Sequence, residues 1–379
     1  MWYMTPQRKL LQKIVKEFAE REIRPFIPRL EAGVYPVAII KKLGEIGVLG
    51  LCHDMQYGGH GVDYTNWYLA LEEISKVSST VALLAAQTSE LCAHFCEHVC
   101  TSAQIEKYIK PAVRGEIILG QFATEPCGMA SLADFETTAV RDAEGWVING
   151  GKIFATNAGV CDYAMVICKT SDHPEPGTMR GASMFMVPKG APGYTIGHIE
   201  NKLGCHGTNT AQVYFDNCRL PVDALIGKVD ECLPVLMERF NPGLGLYGAL
   251  NLGAAQAVYE KTRAFLSARL QNGLSLWDTH QVIRNHMSKM WMRLAVFRQA
   301  LYGYAQMQSE GMEVTDLAIS LKVEGAELAK SVCDQCITLH GGLGTVKETG
   351  LERYYRDVKM FDITCGSNLT LVDVLSKSL

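Results

Sequence analysis

Nowhere in the 379 residues does an apolar run approach the roughly 20 residues that cross a bilayer. The N-terminus MWYMTPQRKLLQK also lacks the charged-then-apolar order of a secretion signal. A membrane span is not expected, and the expected location is the cytoplasm. Paired CxxC sets are missing too: of 13 cysteines only Cys333 and Cys336 have that spacing, and only once. Reduced, mostly buried thiols are expected, and no metal site. No charge of one sign dominates. The net charge is -4 with lysine and arginine scattered along the chain, which argues against a nucleic-acid partner while allowing a local basic groove for a phosphate. Internal repeats and low-complexity segments are absent.

What is present suits a large core. The chain is 48% apolar, enough for two or three domains. Leu10, Leu11, Ile14, Val15 and Phe18 recur at helical spacing before Pro25, and Val37, Ile40, Leu43 and Ile46 before Gly47. After the YGGHG loop a long apolar run passes through Val81, Leu84 and Leu91. Glu90 sits inside that run. An isolated buried carboxylate is expensive, so Glu90 is at an exposed end, paired, or functional. From Leu119 the segments become short, β-rich and punctuated by glycine, proline and aspartate, the pattern of an antiparallel barrel or sandwich of about a hundred residues. Helical periodicity returns after Gly227. The expected fold class is α+β in three domains: an N-terminal helical domain (1–118), a central antiparallel β-barrel (119–226) and a C-terminal helical bundle (227–379).

The segment ERYYRDVKMFDITCGS (Glu352 to Ser367), with HGGLG (His340 to Gly344) upstream, resembles the signature of the FAD-dependent acyl-CoA dehydrogenases: a GG turn, then RxxRD, then YEGT. QFATEPCG (Gln121 to Gly128) resembles that family's TEPGAGSD, NGGKIFATNAG (Asn149 to Gly159) its NGxKxWITN, and KLGCHGTNT (Lys202 to Thr210), less closely, its KLGxRxS. The resemblance implies FAD as cofactor, with Phe122 and Thr124 near the pyrimidine edge, Thr156 near N5 and Phe154 as the wall against one ring face. It implies Arg269 at the pyrophosphate, joined from a neighbouring chain by Gln281 and the Gly341–Gly342 turn, with Ser367 in place of the family threonine. An acyl-CoA substrate, a homotetramer and an electron-transfer flavoprotein partner are further implications.

In the family, the glutamate of YEGT removes the proton α to the thioester while the β hydrogen leaves as hydride. Here that slot holds Cys365. The backbone N–H that polarises the thioester carbonyl survives the substitution; the carboxylate does not. At the second location where some relatives carry glutamate, a gapless count gives Gly243, and Glu238 reaches it only if the helix start shifts. Cys365 is one candidate base, although a neutral thiol in an apolar pocket is the plainer reading. Glu90 is the other, on a helix whose family counterpart lines the acyl pocket with Gln87 and Leu91; Thr364 and Gly366 complete the expected pocket. This pattern resembles the cyclohex-1-ene-1-carboxyl-CoA dehydrogenase branch, in which an acid on the corresponding helix drives 1,4-elimination. Conventional α,β-desaturation, enoyl-thioester reduction and a non-catalytic flavin-binding relative are the other readings.

Overall fold

Capping side chains start the N-terminal helices of the computed structural model, which describes residues 1–128, 134–171, 180–238 and 240–378. Thr5 accepts from the Arg8 N–H at the head of helix Pro6–Phe18, where proline takes the first position. Asp63 does the same for Tyr64–Val77 and Ser78 for Ser79–Thr88. This last helix is buried along its whole length and runs directly into a wider π-helical turn, Ser89–His94, which carries Glu90. Such turns are rare and recur at functional sites.

Eight strands follow: β1 Leu119–Phe122, β2 Thr138–Arg141, β3 Trp146–Ala155, β4 Tyr163–Lys169, β5 Ala182–Pro188, β6 Tyr194–Ile199, β7 Ala211–Leu220 and β8 Leu225–Ile226. They pair in the order β6-β7-β3-β2-β4-β5-β8, with β1 lying parallel on β4. The expected antiparallel barrel is corrected in two respects. Among the described residues the sheet is open, and β4 takes both β1 and one residue pair of β2 in parallel. Closure would need the two edges to pair, yet β8 has only 2 residues and β6 buries only Tyr194 fully. An edge of 2 residues offers too short a ladder for closure.

The C-terminal part is helical: Phe240–Ala268, Gln281–Ser309, Thr315–Leu339, Leu351–Phe361 and Asn368–Ser376. Helix Phe240–Ala268 crosses the core and is buried throughout from Pro242 to Ala255. Its glycines let it lie directly on Tyr64–Val77: a Cβ at Gly245 would come within 2.4 Å of the Tyr68 hydroxyl, and one at Gly253 within 2.4 Å of the Glu72 carbonyl. The two helical regions thereby share one core. Among the described residues no helix is long and apolar enough to cross a membrane.

Candidate active site

The two β-domain motifs are fastened together by a buried ion pair. Lys152 Nζ, in NGGK, donates to Glu125 Oε1 at 2.6 Å and to the Ala123 carbonyl at 3.2 Å, and both charged side chains are nearly inaccessible. The second oxygen of Glu125 accepts from the Glu136 amide at 2.7 Å, so the carboxylate is satisfied in spite of its burial. One residue along, the Ile153 amide donates to the Thr124 carbonyl at 2.8 Å. Thr124 thus lies beside the segment that carries Phe154 and Thr156. Phe122 is buried, whereas Phe154 has φ +52° and is 58% exposed, an unusual setting for a large apolar ring on a sheet. Thr124 and Thr156 are half-buried.

The RxxRD charges are structural fasteners. Arg353 donates to the Val77 carbonyl at 2.9 Å and faces Asp357 at 3.8 Å. Asp357 in turn accepts from the Cys205 amide of the KLGC turn at 2.7 Å. Helix Leu351–Phe361 is thereby tied to both the N-terminal helices and the sheet domain, which fixes the start of the loop holding Thr364, Cys365 and Gly366. The far side of that loop is held by Lys322, a fully buried lysine whose ammonium donates to the Gly366 carbonyl at 2.6 Å and to Asn368 Oδ1 at 2.8 Å. Burial lowers this amine to about 8. Ser367 caps the last helix through the Thr370 amide at 3.2 Å.

Cys365 sits at φ +55°, and among the described residues its amide donates to no backbone carbonyl. The residue is exposed at the surface of its loop, with the Gly243 carbonyl 4.0 Å from Sγ. Burial pushes the thiol up to about 11, with Lys322 opposing the rise and the Glu90 charge adding to it. At neutral pH it carries its proton.

Glu90 is 3% exposed and accepts from the Trp67 indole N–H at 2.5 Å. Its charge bears on Cys52, Tyr68, Tyr304, Tyr247 and Cys365. Leu91, half-buried, faces Gly243, where a Cβ would meet it at 3.6 Å, and the Gly243 carbonyl is 4.0 Å from Cys365 Sγ. Tyr247, one helical turn on, bonds Thr364, and Gln87 is buried with its amide 3.6 Å from Cys92 Sγ. The Glu90 turn, Gly243 and Cys365 are therefore neighbours. Glu238 closes helix Cys232–Glu238, and its side chain lies outside the described residues.

The remaining expected residues lie at the chain's surface. Arg269 and Gln281 are exposed. Gly341, at φ +58°, and Gly342 are exposed with nothing within 4 Å of a built Cβ, so the space beside that turn is open to another molecule. Phe265 joins these parts: its ring stacks on His340 at 4.2 Å and its carbonyl accepts the Arg269 amide at 2.8 Å.

Residues 5–116, 120–218 and 231–379 match in turn the N-terminal, middle and C-terminal domain models of acyl-CoA dehydrogenase. Over 366 residues the chain is 33% identical to the short-chain specific acyl-CoA dehydrogenase of Clostridium acetobutylicum, with 96% of each chain covered. The chain belongs to the acyl-CoA dehydrogenase family. It is 28% identical to CarC, a subunit of the caffeyl-CoA reductase-Etf complex of Acetobacterium woodii, over 100% of this chain and 99% of that one. Butyryl-CoA dehydrogenase of Megasphaera elsdenii superposes with a TM-score of 0.92 at 27% identity, covering 99% of this chain and 98% of that one. Members of this family are flavoproteins, and this acyl-CoA dehydrogenase is a FAD-dependent oxidoreductase. Its residues fit the cofactor. An exposed ring at a strained backbone position, beside two threonines and a buried ion pair, supplies a wall and polar neighbours for an isoalloxazine.

Motif reading missed the buried residues that hold the site in place. Lys322, Trp67 and the cluster His53, His94 and Glu97 are all under 2.5% exposed. For Lys322 and His94 the signal is a polar residue inside a buried helical run; His53, in a bend, gives none.

Proposed function

We propose that this acyl-CoA dehydrogenase desaturates a cyclic or already unsaturated acyl-CoA, with Glu90 as the base in place of the missing glutamate. The observation that carries this reading is the pairing of a buried carboxylate with a protonated thiol in neighbouring positions. A thiol held up at about 11 is a poor proton acceptor at neutral pH, and Gly243 has no side chain to offer. Glu90 stands in the turn beside Leu91, which suits a proton further along the acyl group than Cα.

On cyclohex-1-ene-1-carboxyl-CoA the step balances as a 1,4-elimination. Glu90 takes the proton from ring C3, the C–H pair becomes the C2–C3 double bond, the existing π pair moves to C1–C6, and a hydride leaves C6. Conjugation with the thioester acidifies the C3 proton, so the base can stand away from Cα. When bound, the flavin supplies the two-electron oxidant that accepts the hydride. Thr124, Thr156, Phe154 and Phe122 hold its ring, with Ser367 close by; Arg269, with the partner copy's Gln281, Gly341 and Gly342, holds the pyrophosphate. That division supports a homotetramer in which copies complete each other's sites. The amide of Cys365 polarises the thioester carbonyl, and Gln87, Leu91, Thr364 and Gly366 line the acyl group. An electron-transfer flavoprotein as acceptor is supported by the name of the CarC relative. Turnover of cyclohex-1-ene-1-carboxyl-CoA with ferricenium as acceptor tests the reading: the wild type is active and Glu90→Gln is not, whereas equal turnover by both removes Glu90 from the chemistry.

A second reading is favoured by the same thiol. A protonated Cys365 is a proton donor, and in an enoyl-thioester reductase it would deliver the proton to Cα as hydride reaches Cβ. The relative named caffeyl-CoA reductase supports this direction. Reduction of cinnamoyl-CoA by the reduced enzyme, abolished in Cys365→Ala and retained in Glu90→Gln, would select it.

A further inference from the structure

The turn that presents Glu90 is held by side chains from three other parts of the N-terminal domain. A π-turn gives weaker backbone geometry than an α-helix, so its shape must be maintained from outside. At its first residue, Ser89 Oγ donates to the Leu49 carbonyl at 2.6 Å and lies 3.1 Å from His53 Nε2 and 3.2 Å from Cys52 Sγ. At its last residue, His94 places Nδ1 2.7 Å from Glu97 Oε1 and Nε2 2.8 Å from the Tyr64 hydroxyl. Glu97 joins the two ends, because its other oxygen is 2.5 Å from His53 Nδ1. Tyr64 lies one helical turn before Trp67, the residue that bonds Glu90 itself. All of these side chains are buried.

We infer that His53, Glu97 and His94 are positioning residues for the reaction: they brace the Ser89–His94 turn so that Glu90 meets the acyl group. The inference rests on the assignment of Glu90 as base. Two imidazoles and a carboxylate within 4.8 Å of one another are also the donor set of a divalent-metal site. The contacts of 2.5 and 2.7 Å argue otherwise. Two ligands at roughly 2.0–2.1 Å from one tetrahedral ion stand well over 3 Å apart, whereas these spacings are those of charge-assisted hydrogen bonds. A carboxylate bridging two rings is a rigid brace. It acts across 44 positions of sequence between His53 and Glu97.

A double-mutant cycle on the FAD-loaded enzyme tests this, with cyclohex-1-ene-1-carboxyl-CoA and ferricenium. Glu97→Gln and His53→Gln are each expected to lower kcat by about 10- to 100-fold, the size of effect that a small misplacement of a catalytic group produces. KM and flavin content stay within about threefold, because neither residue touches the thioester or cofactor. Tyr64→Phe, which removes one hydroxyl from the far end of the brace, is the milder variant should the others fold poorly, and is expected to lower kcat by about threefold or more. In a Glu90→Gln background the same substitutions should change the residual rate little, since they act through Glu90. Full additivity of the losses, or wild-type kcat in Glu97→Gln and His53→Gln while Glu90→Gln is dead, overturns the brace and leaves the base standing. Wild-type turnover by Glu90→Gln overturns the base assignment, and the brace with it. One equivalent of tightly bound metal in purified protein, absent from Glu97→Gln, would overturn the brace in favour of a metal centre.

Discussion

Cys365 Sγ lies 4.0 Å from the carbonyl oxygen of Gly243, and neither residue bears a carboxylate. The two positions that the family resemblance implies for a base are thus adjacent in space, and neither holds a carboxylate. Glu90, whose charge bears on Cys365, is an acid brought to the same neighbourhood by a different helix.

Restoring a carboxylate at the family position should restore the family reaction. Cys365→Glu is expected to gain desaturation of butyryl-CoA by about 10²-fold or more over the wild type, within the usual range for a positioned acid–base group. Cys365→Ala should leave turnover of the cyclic substrate within about threefold, since the backbone amide remains. Steady-state rates with both thioesters check this.

A thiol raised to about 11 should be a poor nucleophile at neutral pH. Alkylation of Cys365 by iodoacetamide should accelerate as pH rises toward about 11, rather than near the ordinary thiol value of 9.0. In Lys322→Met the rise should stay near the same pH, because an amine lowered to about 8 has lost its charge before a thiol at about 11 ionises. That variant also leaves the Gly366 carbonyl and the Asn368 amide oxygen without their donor, costing about 1–3 kcal/mol for each group. Mass-spectrometric alkylation rates and chemical denaturation measure the two effects.

Glu97 gives the fold an acid-sensitive component. Its carboxyl is lowered from the ordinary 4.5 to about 2: burial works against the shift, and the hydrogen bonds and charges of His53 and His94 outweigh it. A depressed folded-state value means that its stabilisation is present above about pH 4.5 and is lost as pH falls toward 2. The shift corresponds to about 3 kcal/mol at most. Denaturation between pH 5 and pH 2.5 should therefore be shallower in Glu97→Gln than in the wild type.

Arg353 should matter to folding more than to chemistry. Arg353→Ala leaves Asp357 buried with its cation removed, and a loss of about 3–5 kcal/mol is expected. The surviving folded fraction should keep its kcat. Phe154→Ala is expected to show the opposite pattern. Its ring is 58% exposed, so stability of the apoprotein should change by less than about 1 kcal/mol, while FAD affinity falls about tenfold. Thermal melts of the apoprotein and fluorescence titration with FAD separate the two.

Much of the fold was legible because it rests on local period. Helical spacing located the N- and C-terminal helices, and the shift to short β-rich segments located the strands. The closure of the sheet was not legible, since it depends on whether β6 and β8 find each other, and that is decided by edge length rather than by pattern. The motif loops were recognisable, but the ties that aim them were not. Lys322 meets Gly366 across 44 positions and Arg353 meets Val77 across 276, and neither end of such a bond signals its partner in the chain. Glu90 stood out as a charge in an apolar run. The π-turn beneath it did not, because its shape comes from Ser89, His94 and their distant tethers.

The most direct measurement is the fate of the C3 hydrogen of cyclohex-1-ene-1-carboxyl-CoA. With C3-deuterated substrate, the wild type should show a primary isotope effect and release the label to solvent, and Glu90→Gln, loaded with FAD and binding the thioester normally, should release it at least about 10²-fold more slowly. Equal release by the two proteins, or retention of the whole C3 label in the diene product, would contradict the account.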